Sequence, residues 1–104
     1  MPPDLLQARR IARQQQEERD CGRLFAHARI ASNLRAGRDV DEIIAAANNQ
    51  IELWRRHRLC SHDYIDEWRN VIASGPQRIA DVLEERSAYG IRMRQNTPFA
   101  RYLA

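Results

Sequence analysis

The sequence predicts an all-α protein: a small bundle of four to five helices, with a central antiparallel helical hairpin and a long N-terminal helix. Three observations carry that expectation. Apolar residues recur at spacings of three and four, and no stretch alternates with the period of two that marks a half-buried strand. The four prolines and four glycines stand nearly all where such periodic segments start or stop. Finally, 104 residues with 43% hydrophobic and 30% charged content suit one globular domain. That length is near the size at which a second subunit often helps.

Asp4 followed by Gln7 has the pattern of a capping box behind two prolines, and it opens a first helix that runs to Arg35 and stops at Gly37. Leu5, Leu6 and Ile11 give this helix a weak apolar face. Gln14 to Asp20 then holds no apolar residue, and such a stretch cannot lie against a core. A firmer face resumes at Leu24, Phe25, Ala28, Ile30, Ala31 and Leu34. Residues 1–20 are therefore expected to form a helical arm, projecting or partner-bound, and residues 21–104 a single helical domain.

Asp39 with Glu42 is a second capping box, and the helix it opens carries Val40, Ile44, Ala47, Ile51 and Trp54 as a one-sided stripe. Ser61 is a good N-cap for the next helix, whose face is Tyr64, Ile65, Trp68, Val71 and Ile72. The short connection makes these segments, about 40–58 and 62–73, an antiparallel hairpin. It places Ile51–Trp54 and Ile65–Trp68 in one apolar layer. Burying these four side chains contributes about 8–12 kcal/mol before entropy. Ser74-Gly75-Pro76 ends that helix and starts another, faced by Ile79, Val82 and Leu83, which fades near Ser87 or Gly90. Thr97-Pro98 reads as the start of a last short helix that folds Phe99 and Leu103 back onto the core.

All seventeen positively charged side chains are arginine. Arginine's planar fork pairs bidentately with carboxylates and phosphates and stacks on rings, although a GC-rich genome produces the same bias. Net charge is only +3, so tight nucleic-acid binding would need local clustering. Charge is segregated. Residues 1–38 carry +4, residues 39–52 carry −4, and a basic knot follows at Arg55, Arg56 and Arg58. The last sixteen residues hold Arg92, Arg94 and Arg101 and no acid.

Catalytic and metal chemistry find little purchase. Cys60-Ser61-His62-Asp63 gathers nucleophile, base and carboxylate, but neighbours at a helix start rarely reach triad geometry, and Ser61 and Asp63 suit capping roles. Cys21, His27, Cys60 and His62 match no metal-ligand spacing, and the isolated glycines form no phosphate loop. No cofactor is expected. Two cysteines are too few for a disulfide scaffold, no apolar run is long enough to cross a bilayer, and no secretory hydrophobic block follows Met1; a cytoplasmic location is expected. A helix-turn-helix reading of residues 41–73 is weakened because the second helix opens with Asp63, Asp66 and Glu67, which repel phosphates.

The expected function is that of a small, non-enzymatic regulatory or inhibitory protein that binds another protein or nucleoprotein assembly bearing an acidic or phosphate-lined surface. Its size and style are those of antitoxins and anti-CRISPR proteins, by analogy only. The expected partner-binding residues are Arg55, Arg56, Arg58, Arg92, Arg94 and Arg101, with Arg9, Arg10 and Arg13 on the arm. A homodimer through the N-terminal helix is a further expectation, because that helix buries too little to be stable alone. The alternative is a nucleic-acid-binding transcriptional regulator that uses the same arginines on phosphates.

Overall fold

The structure, a computed structural model, describes residues 4–103. The two prolines ahead of the first helix lie outside the described residues. Five α-helices follow one another: α1 (Leu5–Arg35), α2 (Val40–His57), α3 (His62–Ala73), α4 (Pro76–Glu84) and α5 (Ala88–Gln95); a 3-10 turn at Ala100–Tyr102 closes the chain. There is no strand among the described residues, and the molecule measures 57 × 32 × 23 Å.

Helix α1 is continuous over 31 residues, about 46 Å at 1.5 Å per residue. Its buried face is His27, Ile30, Ala31 and Leu34, and none of its side chains before His27 is buried. The expected face is thus corrected at one position. Phe25 is 75% exposed, and His27 takes the inward place instead. Helix α4 is the closest neighbour of α1, and it contributes Ile79, Ala80, Val82 and Leu83, all fully buried. Arg35 ties the two helices at the surface, reaching Asp81 at 3.0 Å and Glu84 at 3.2 Å.

The α2–α3 hairpin forms where the sequence places it. Ile43, Ala47, Ile51 and Trp54 are buried on α2, with Val40 and Ile44 packed at the margin; Ile65, Trp68, Val71 and Ile72 are buried on α3. Both tryptophans belong to one core, yet the aromatic partner of Trp68 is Phe99, edge-on with ring centroids 5.6 Å apart. The hairpin turn begins at Arg58, in left-handed backbone with φ 54°, and Ser61 caps α3 by accepting from the Tyr64 N–H.

Neither expected capping box forms. Asp4 and Asp39 occupy the N-cap positions with φ 58° and 53°, and neither makes a side-chain bond to a helix amide. An N-cap accepts in extended backbone, and left-handed backbone turns the carboxylate away from the first-turn amides. The α1–α2 corner demands this geometry, because Gly37 and Asp39 both take positive φ to reverse the chain.

Gly90 is also reassigned. It does not end a helix but lies inside α5, which starts at Ser87, whose hydroxyl accepts from the Gly90 N–H. A Cβ on Gly90 would stand 2.0 Å from the Glu85 carbonyl oxygen, so the turn between α4 and α5 closes only around a bare Cα.

Two stability predictions follow from this packing. Trp68 is fully buried, and Trp68→Ala is expected to cost about 3–5 kcal/mol in urea melts; a cost below about 1 kcal/mol contradicts its place in the core. Gly90→Ala is expected to abolish or sharply lower cooperative melting, whereas Gly22→Ala, with nothing within 4 Å, is tolerated. Circular-dichroism melts of both variants check this.

Candidate functional site

The nine arginines expected to bind a partner do not gather on one surface. Arg9, Arg10 and Arg13 stand on the exposed half of α1, and none joins an ion pair among the described residues. Glu52 of α2 collects the knot. Arg55 holds it through Nε at 3.1 Å and Nη2 at 2.5 Å, while Arg56 and Arg69 each lie at 3.8 Å. The guanidinium of Arg55 draws the Glu52 carboxyl below its ordinary pKa, and Glu52 raises that of Arg55 in return. These pairings are exposed, so they orient side chains more than they stabilise the fold.

Arg92 of α5 lies over the Tyr64 ring at 5.0 Å, a cation–π arrangement, and its carbonyl accepts from the Tyr64 hydroxyl at 3.1 Å. Arg58 lines an open cavity of about 440 Å³ with Trp54, Arg55, Cys60, Ser61, His62 and Ile65. Arg101 is exposed in the closing turn.

Arg94 is a correction. It is 3% exposed and cannot greet a partner. Its Nη1 donates to the carbonyls of Leu83 (3.2 Å) and Glu85 (2.6 Å) at the C-terminal end of α4, and more weakly to that of Val82 (3.4 Å), which also accepts from the Glu85 N–H at 3.3 Å. Burial lowers its pKa, yet a guanidinium keeps its charge, and a cation at a helix C-terminus is favourably placed.

Beside Arg94 lies a feature that the sequence reading missed. Two adjoining cavities of about 290 Å³ each run along α1. One is lined by Asp20, Cys21, Leu24, Arg86, Ile91 and Arg94; the other shares Cys21, Leu24 and Arg86 and adds Phe25, Ala28 and Glu84. The groove has two apolar walls, Leu24 and Ile91, with guanidiniums at its edge. The available signal was the adjacent pair Leu24-Phe25. Both cannot enter one core from a helix that also buries Ile30, Ala31 and Leu34.

Other titratable groups with shifted pKa values lie outside the lining of this groove. His27 Nδ1–H donates to the Arg23 carbonyl at 2.6 Å, and its Nε2 accepts from the Thr97 hydroxyl at 2.9 Å; that oxygen in turn accepts from the Phe99 N–H at 3.1 Å. This network assigns the Nδ1–H tautomer. Burial pushes the His27 pKa down, and the nearby Arg94 guanidinium adds to the shift. Burial and the Glu67 carboxylate, which accepts from its hydroxyl at 2.7 Å, push Tyr89 up to about 12. Burial also raises the Cys60 thiol, opposite to the shift a nucleophilic thiolate requires. Ser61 beside it is spent on the α3 cap.

No cluster of three His, Cys, Asp or Glu side chains suited to a metal ion occurs among the described residues. Cys21 is exposed on α1, Cys60 is half-buried, and His27 is consumed by its two hydrogen bonds. No described helix is long and apolar enough to cross a membrane.

Because His27 is held neutral when folded but protonates near pH 6.5 when unfolded, its contribution is full above that pH and is lost as pH falls through the lower folded value. Urea melts from about pH 8 to about pH 5 should show this decline, and His27→Gln should flatten that part of the profile. No family model matches the chain, and neither a curated protein nor a solved structure matches it.

Proposed function

We propose that the protein is a non-catalytic binding module, a regulator or inhibitor that acts by docking onto another protein in the cytoplasm. One observation carries this reading. The N-terminal half of α1 is fully formed helix, yet no side chain before His27 is buried. A polar helix of this length is marginal in water by itself, and a partner that packs along it would complete it. The arm presents Arg9, Arg10 and Arg13 with exposed Leu5, Leu6 and Ile11, a mixture of guanidinium and apolar surface typical of interface anchors. Arg55, Arg56, Arg58 and Arg92 add basic surface on the body.

Nucleic acid is the less supported partner. A phosphate grip wants unpaired guanidiniums on one concave face. Here Arg55 and Arg56 face Glu52, Arg92 lies on a tyrosine, and Arg94 is internal. Asp63 and Asp66, both exposed on the first half of α3, repel phosphates from the one helix that a groove reader would use.

Affinity capture from the native host, with and without nuclease, tests this with the full chain and with Arg9→Glu/Arg10→Glu/Arg13→Glu. The expected result is a protein partner that survives nuclease and is lost from the triple variant. Capture abolished by nuclease, or unchanged in the triple variant, overturns the reading.

A further inference from the structure

The exposed half of α1 carries a stripe that becomes its own charge complement on reversal. Leu6, Arg10, Arg13, Glu17, Asp20 and Leu24 follow one another at alternate spacings of four and three, so they lie along a single face of the helix. In chain order they are apolar, basic, basic, acidic, acidic, apolar. A parallel copy would set Arg10 against Arg10 and Glu17 against Glu17. Turning the second helix end for end about Gln15 instead sets Leu6 opposite Leu24, Arg10 opposite Asp20, and Arg13 opposite Glu17. Each of these pairs then occurs twice by symmetry.

The structure leaves the members of this stripe available. Leu6 is 67% exposed; Arg10, Arg13 and Glu17 are exposed and join no ion pair among the described residues. Asp20 holds Gln16 and Arg23 through Oδ1 alone, each at 3.1 Å. Leu24 forms the wall of the groove described above, opposite Ile91. Leu6 and Leu24 stand eighteen residues apart, about 27 Å along the helix, so the end of a reversed copy reaches the groove of the first. The flanking residues nearest the centre, Gln14 and Gln16, are uncharged. The one like-charged flank sets Arg9 near the partner's Arg23, and Arg23 is already held by Asp20.

We infer that α1 pairs with a second copy of this chain in antiparallel orientation, with Leu6 of each protomer seated in the groove against Leu24 of the partner subunit. Ion pairs from Arg10 to the partner's Asp20 and from Arg13 to the partner's Glu17 fix the register. This rests on α1 being a binding surface, and it names what that surface binds. Because most of the seam is charged, association is salt-sensitive, since exposed pairs are screened at a Debye length of about 10 Å in 0.1 M salt.

Sedimentation velocity on the full chain, from micromolar to near-millimolar protein in low and high salt, tests the pairing. The expected mass is twice that of the chain in low salt, falling toward one chain as salt rises. Arg13→Glu and Glu17→Arg each place like charges at the centre and are expected to weaken self-association by about tenfold or more. Mixing the two variants restores complementary pairs in a heterodimer, and combining both substitutions in one chain restores them in a homodimer. All the substituted side chains are exposed, and circular dichroism confirms that each variant is folded. Single-chain mass for the wild type at every concentration overturns the pairing, as does undiminished association of either single variant or failure of the mixture to recover it. If the wild type is monomeric while α1 still captures a different protein, the second-copy inference fails and the binding-surface reading stands; if neither occurs, both fail.

Discussion

Asn96, Thr97, Pro98 and Phe99 join helices that are distant in the chain, and the arrangement of the bundle depends on them. The Asn96 carbonyl accepts from the Trp68 indole N–H at 2.8 Å, the Phe99 ring stands edge-on to the same indole, and the Thr97 hydroxyl bonds His27, seventy residues away. Pro98 and Phe99 are buried beside them. This segment therefore anchors α3 from one side and α1 from the other. His27 is also the first buried residue of α1, so the point at which the long helix enters the body is the point at which the tail holds it. Losing the bond would strand a buried imidazole without its acceptor role filled, and such orphaned polar groups cost about 1–3 kcal/mol.

Much of the fold was legible because it follows from local rules. The Ser61 cap, the Gly75-Pro76 break and the apolar rows of α2, α3 and α4 each belong to a short stretch whose periodicity settles its own orientation. What was hidden depended on long-range geometry. The bare Cα of Gly90 reads as a stop until the Glu85 carbonyl is seen against it. His27 looks polar, and only Thr97 explains how it is buried. The aspartates at 4 and 39 have capping chemistry, but both take positive φ, and at Asp39 the corner between α1 and α2 puts the backbone in the wrong region for it. Of the candidate site, the exposure of Arg9, Arg10, Arg13, Arg55, Arg56 and Arg58 was readable from charge patterning, while the internal use of Arg94 and the groove at Leu24 required the α4–α5 turn to be in place.

The arginines divide their labour in ways that lysine could not copy. Arg35 spans two carboxylates, Arg55 clasps both oxygens of Glu52, and Arg92 lies over a ring. Each uses the breadth or the flatness of the guanidinium rather than its charge alone. The structure relies on that shape at these three positions, whereas Arg94 brings its charge to the end of α4 through Nη1 alone.

Helix α1 passes from body to arm without a break, so the direction in which the arm faces is indexed by the number of residues between His27 and the tip. Each residue turns the helix by about 100°. One residue inserted near Gly22 would swing the whole arm by more than a quarter turn while leaving the core intact, whereas seven would return it to within about 20° of its bearing. The arm behaves as a ruler marked in whole turns: changes in length of about seven, eleven or eighteen residues keep its bearing, and most other increments change which face it shows.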